Sequence, residues 1–183
     1  TQNYNIKLSI IGDGKEEFYK YIDNVIYLGR MNYDSILYYL HNSDYLILPS
    51  YTEGIPFTLI EAMNLGIPGI ASNIHGNNDI IINNKNGFLF DLKGYEESKN
   101  NIDNWNVFES VDKYFNENVN NLTSFIKNIY KLSLNEYNNM SKKAYDSVQK
   151  YNKDICDSEN INNIYLKNNN IIIKNNKKKL FIN

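Results

Sequence analysis

Pro49-Ser50-Tyr51-Thr52-Glu53-Gly54-Ile55-Pro56-Phe57-Thr58-Leu59-Ile60-Glu61-Ala62-Met63 is the stretch on which the reading of this chain turns. It begins where an apolar run, Tyr45-Leu46-Ile47-Leu48, stops at a proline. A polar loop follows, and Gly54 lets a ligand approach its backbone closely. Pro56 suits the first turn of a helix, where its missing N–H is no loss. The spacing predicts a helix from Pro56 to Leu65, with Gly66 in the place of a C-terminal cap. On that reading Phe57, Thr58 and Leu59 offer unbonded N–H groups at the positive end of the helix dipole, which suits a phosphate or diphosphate.

Two carboxylates frame this helix start. Glu53 lies in the loop ahead of it. Glu61 falls between one and two turns inside, roughly 8 Å along the axis. The tilt of helical Cβ atoms points Glu61 back toward the N-terminus. Carboxylates accept hydrogen bonds from hydroxyls and not from phosphate. The set therefore suits a molecule with phosphate in the middle and hydroxyl-rich groups at both ends, such as a nucleotide-sugar. Taken alone, the two glutamates read better as ordinary favourable charges near a helix start.

Outward from this stretch, short apolar runs alternate with helical patterns. Ile6–Ile11 reads as a strand closed by Gly12-Asp13-Gly14, and 16–22 as a helix with Phe18, Tyr21 and Ile22 on one face. Val25–Leu28 is a second strand ended by Gly29. Asp34 is the expected cap of a helix to His41. Tyr45–Leu48, Ile67–Ala71 and Gly87–Phe90 complete the strands, with a short helix ending at 80–82. Near-continuous apolar strands separated by helices imply a parallel sheet covered on both faces. The expected fold is α/β, a Rossmann-like parallel sheet over residues 1–91. An insertion or long connection is expected over 92–119, helices over 120–166 and a disordered tail over 167–183. In such a sheet ligands sit at the carboxyl ends of the strands. The loops at 12–15, 29–33, 49–55 and 72–79 are the ones to watch.

Composition narrows the function further. Nineteen Lys and Arg against 21 Asp and Glu leave a net charge of −2, with no positive field to gather nucleic acid. One cysteine and two histidines exclude a disulfide framework and leave no ordinary zinc ligand set. A mean hydropathy of −0.53 and no long apolar run exclude a spanning helix. Gly12-x-Gly14 lacks the third glycine of a dinucleotide fingerprint, because position 17 is Glu17. Much of the polar excess is Asn, so runs of Asn are not read as designed sites.

The stretch from Glu53 to Ala62, followed by Gly66-x-Pro68, resembles the C-terminal, donor-binding domain of retaining glycosyltransferases of the GT-B fold, family 4 type. Ile10-Ile11-Gly12-Asp13-Gly14, Val25–Gly29, His75–Ile81 and Asn86–Phe90 resemble further blocks of that domain, in order and spacing. The resemblance covers about residues 4–91. It implies Glu53 beside the reacting carbon of a donor sugar, as the catalytic residue, and Glu61 on the ribose hydroxyls. It implies Gly54, Ile55, Pro56, Phe57 and Thr58 around the sugar hydroxyls and distal phosphate, and Gly12, Arg30 and Met31 near ribose and base. It implies no metal and no cofactor beyond the nucleotide-sugar donor, which is the substrate. It also implies partners: an upstream strand with a Gly-rich loop and an Arg and a Lys, and an N-terminal acceptor domain, none of which precedes Thr1. The expectation is thus a chain truncated at its N-terminus and inactive alone. His75 and Asn78 stand where some cell-surface polysaccharide enzymes of the family carry Arg, which favours a capsule or O-antigen type enzyme.

The implied activity is transfer of a hexosyl or N-acetylhexosaminyl group to an acceptor hydroxyl with retention. The alternatives are a nucleotide-sugar-binding module without activity of its own and a GT-B epimerase. The implied location is cytoplasmic, at the inner face of a membrane. Lys177-Lys178-Lys179 is a candidate contact with an anionic membrane surface, against the simpler reading of a solvated terminus.

Overall fold

The computed structural model describes residues 5–19, 21–95, 111–151 and 178–182. The elements run β1 (Ile6–Ile11), β2 (Val25–Gly29), α1 (Tyr33–His41), β3 (Tyr45–Leu48), α2 (Phe57–Asn64), β4 (Gly69–Ser72), α3 (Asn77–Ile80), β5 (Gly87–Phe90), α4 (Phe115–Ile129), α5 (Leu134–Val148) and β6 (Lys178–Ile182). All six strands join one sheet in the order β2-β1-β6-β3-β4-β5, and every pairing is parallel.

The apolar runs become strands because both faces of the sheet are covered. Leu46, Leu48 and Ala71 point into one core with Leu40, Leu59, Ile60 and Met63. Their neighbours Tyr45, Ile47 and Ile70 point the other way, into a second core with Phe88, Ile129, Tyr137 and Met140. The alternation follows from the two-residue period of a strand. α5 serves both cores, with Ala144 and Val148 in the first and Tyr137 and Met140 in the second. Its start is secured by a capping box between Ser133 and Glu136. It is pinned to the sheet and α2 by Ser141 Oγ donating to the Gly66 carbonyl (2.6 Å) and Tyr137 Oη donating to the Asp44 carbonyl (3.0 Å).

The tail expected to be disordered is, over Lys178–Ile182, a strand at the centre of the sheet. Ile182 pairs with Ile10 on one side and with Ile47 on the other. In a doubly wound sheet of order 3-2-1-4-5-6 the central position belongs to the first strand of the chain. Here the last strand fills that position. The run Lys177–Lys179 is therefore partly strand, since β6 begins at Lys178. The part of the expected helices from 152 to 166, and residues 167–177 and 183 of the tail, lie outside the described residues.

Two local expectations also change. Among the described residues of the helix expected over 16–22, a single tight turn forms, Glu16–Phe18. Phe18, Tyr21 and Ile22 stay exposed, and a short helix without a packed face is not stable. The cap of α1 is Asn32 and not Asp34, because the Asn32 side chain accepts the Ser35 N–H at 2.9 Å.

Candidate functional site

Gly12 and Pro49 each follow, by two residues, a position level with Ile182. The loops after β1 and β3 therefore leave the sheet together, two strand spacings apart, or about 10 Å. The chain winds from β1 to β2 in one direction and from β3 to β5 in the other. Their divergence makes a crevice at the carboxyl edge of the sheet, the usual ligand position in this architecture.

On the β3 side, Glu53 is held from behind. Ser50 Oγ donates to Glu53 Oε1 at 2.5 Å. Ser72, the last residue of β4, donates its hydroxyl to the Ser50 carbonyl at 2.5 Å. Asn77 Nδ2 in turn donates to the Ser72 carbonyl (3.1 Å) and hydroxyl (3.2 Å). Gly76 has a φ of 88°, and a Cβ there would lie 2.4 Å from the Gly54 carbonyl oxygen. The loops after β3 and β4 thus touch at backbone level, which only glycine permits.

α2 begins one residue later than expected, at Phe57, with Pro56 buried as its cap. The N–H groups of Phe57 and Leu59, expected to be unbonded at its start, are bonded within the chain. Phe57 N–H donates to the Ile55 carbonyl at 2.9 Å, and Leu59 N–H to the Pro56 carbonyl at 3.0 Å. The turn at Ile55-Pro56 consumes them, so the start of α2 offers fewer open N–H groups than the sequence suggests. Gly54, Ile55 and Phe57 are exposed, and Thr58 is half-buried in the first turn.

Glu61 is half-buried on α2. Burial raises its carboxyl above the usual range, and a hydrogen bond from Tyr33 partly opposes that shift. Tyr33 is the first residue of α1, so the loop after β2 is brought against α2. Met31 in that loop packs on the core that holds Ile60 and Met63. Tyr33 thus ties Glu61 to the loop after β2 that carries Arg30 and Met31, and Gly12 meets the start of that loop through its N–H, which donates to the Gly29 carbonyl at 3.0 Å. Arg30 makes a bidentate ion pair with Asp13 (both contacts 2.5 Å) between the loops after β1 and β2. The Arg30 hydrogen bond holds the Asp13 carboxyl below its usual value.

Sequence reasoning missed Tyr33, Ser50, Ser72, Asn77 and Asp13 as contributors. Ser50, three residues before Glu53, carried the only local signal. His75 is exposed, 3.5 Å from Asp79, and stays a loop residue. Among the described residues no three His, Cys, Asp or Glu side chains cluster to hold a metal ion.

Comparison with known proteins bears on the family and the fold. An Escherichia coli protein, UDP-Gal:alpha-D-GlcNAc-diphosphoundecaprenol alpha-1,3-galactosyltransferase, is 47% identical over 53 residues, covering 29% of this chain and 14% of that protein. The capsular polysaccharide biosynthesis glycosyltransferase CapM of Staphylococcus aureus is 26% identical over 126 residues, covering 64% of this chain and 30% of CapM. The chain thus matches less than a third of each of these relatives. The crystal structure of Anabaena Alr3699/HepE in complex with UDP-glucose shares the fold, with a TM-score of 0.51 at 16% identity, over 90% of this chain and 41% of that one. Residues 1–122 of the 183 match the family described as Glycosyl transferases group 1, and this chain belongs to that family.

Proposed function

We propose that this chain is the donor-binding part of a retaining glycosyltransferase that moves a hexosyl or N-acetylhexosaminyl group from a nucleotide-sugar to an acceptor hydroxyl. The observation that carries the reading is the placing of Glu53 and Glu61 at the start of α2, beside the crevice between β1 and β3. Glu53 receives the hydroxyls of the sugar near its reacting carbon. Glu61, steadied by Tyr33, receives the ribose hydroxyls. Gly12 and the backbone at Arg30 and Met31 border the base. Gly54, Ile55, Pro56, Phe57 and Thr58 border the sugar hydroxyls and distal phosphate, where the α2 dipole favours negative charge. The donor is the only small molecule the chemistry calls for, with no metal or further cofactor. An acceptor-binding domain completes the enzyme, which works at the cytoplasmic face of a membrane.

The relatives point to the setting. One is named for a UDP-galactose donor and a lipid-diphosphate acceptor, and CapM for capsular polysaccharide. HepE was crystallised with UDP-glucose. We therefore assign the chain to cell-surface polysaccharide synthesis with a uridine diphosphate sugar as first candidate donor. Calorimetric titration with UDP, GDP, UDP-glucose, UDP-galactose and UDP-N-acetylglucosamine tests this. Saturable binding of one nucleotide, tightened by its sugar, is the expected result. No binding by any of them overturns the reading.

A further inference from the structure

The hydrogen bonds behind Glu53 meet at Ser50, whose carbonyl accepts from Ser72 and whose hydroxyl donates to Glu53. Asn77 and Ser72 are fully buried. The Ser72 hydroxyl has a single proton, and it goes to the Ser50 carbonyl. Its lone pair is then left to accept from Asn77, as observed. The Ser50 hydroxyl likewise commits its one proton to Glu53 Oε1. Glu53 Oε2 accepts no hydrogen bond from the described residues. The end of β4 and the start of α3 thus fix the backbone of Ser50, and the Ser50 hydroxyl holds one oxygen of the Glu53 carboxylate. Asn77 Oδ1 is buried without a partner among the described residues, so the network is retained despite an unsatisfied acceptor.

We propose that Ser50 is a positioning residue, locked by Ser72 and Asn77, that presents Glu53 Oε2 to the donor sugar and so sets the preference for a nucleotide-sugar over its nucleotide. This rests on the donor-site reading above and deepens it. A carboxylate held by one oxygen loses its rotamer freedom before the ligand arrives. Less ordering is then left to oppose binding. Ser50 need not touch the ligand. Its effect is confined to the part of the ligand that Glu53 meets, and leaves the nucleotide alone.

The quantity to measure is the ratio of dissociation constants for UDP and for the best-bound UDP-sugar, on the full 183-residue chain. Ser50→Ala is expected to reduce that ratio about tenfold, the scale of one hydrogen bond to a charged group, with UDP affinity within about twofold of wild type. Ser50→Thr keeps the hydroxyl and is expected to restore the ratio. Ser72→Ala moves it in the same direction by a smaller factor. Adding Ser50→Ala to Glu53→Gln is expected to change nothing further, because the oxygen being positioned is already altered. Thermal melts accompany each variant. If wild type shows a sugar-dependent ratio and Ser50→Ala keeps it, the positioning role is overturned while the donor-site reading stands. If Ser50→Ala loses UDP and sugar alike, or Ser50→Thr fails to rescue, Ser50 is structural and the proposal is overturned. If wild type binds UDP but gains nothing from any sugar, the assigned role of Glu53 fails first and takes the proposal with it.

Discussion

The two sides of the sheet are built differently. Every residue of β3 and β4 is buried, and three of the four in β5. On the other side β1 buries one residue of six and β2 none of five. α2, α4 and α5 sandwich the first side, whereas Phe18, Tyr21, Ile22 and Ile26 beside β1 and β2 are at least half exposed among the described residues. The thick side carries Glu53 and its buried support. The thin side carries Gly12 and the exposed Asp13–Arg30 pair. The lesson is a division of labour. On the proposed donor site, the carboxylate assigned to the sugar stands on the more buried side, and the contacts assigned to the base stand on the more exposed side. β6 is the seam, since it alone pairs with both β1 and β3.

The seam gives the largest test. A chain ending at residue 177 loses the strand joining the two sides. The expected cost is on the order of the whole stability of a domain, about 5–15 kcal/mol. Circular dichroism melts should then lose their cooperative transition. A melt unchanged by the truncation would mean that β6 joins nothing.

A paired substitution compares the sides directly. Leu59→Ala, at a fully buried position under β3 and β4, should cost about 2–5 kcal/mol in urea unfolding. Ile26→Ala, on the exposed face of β2, should stay within about 0.5 kcal/mol. Similar losses at both positions would erase the distinction between the sides.

At the crevice, Glu61→Ala should weaken UDP by about 1–3 kcal/mol through lost charge-assisted hydrogen bonds. Glu53→Gln should spare UDP and reduce the gain from the attached sugar. Calorimetry on both variants decides the assignment, and the opposite order would reverse the two roles.

The smallest effect concerns pH. Burial places the native Glu61 pKa above its ordinary 4.5. The native state then holds a proton that the unfolded chain has released, so stability falls as pH rises from about 4.5 through the native value, and levels off beyond it. Glu61→Gln removes that loss. Its stability relative to wild type should be lowest below about pH 4.5 and should grow with rising pH. Unfolding curves across that range would contradict this if the difference shrank instead.

Much of the architecture was legible because β1 to β5 are each largely apolar over a short, punctuated run. Tyr45–Leu48 and Gly87–Phe90 can be read to the residue. β6 was not legible. Lys178-Lys179-Leu180-Phe181-Ile182 sits in an Asn- and Lys-rich background, and its partners lie at residues 6–10 and 45–47. A five-residue run takes its strand identity from such neighbours and not from its own pattern. The bonded N–H groups of Phe57 and Leu59 were equally hidden, because they follow from the turn at Ile55-Pro56 and not from the helix period.

By itself the sequence determined the order of β1 to β5 and the placing of Glu53 and Glu61 about one helix start, since helix pitch and strand period are local geometry. Only the tertiary structure decided what stands at the centre of the sheet and what stands behind Glu53. Ser72 and β6 reach their places through pairings between distant parts of the chain, and no local pattern encodes a long-range contact.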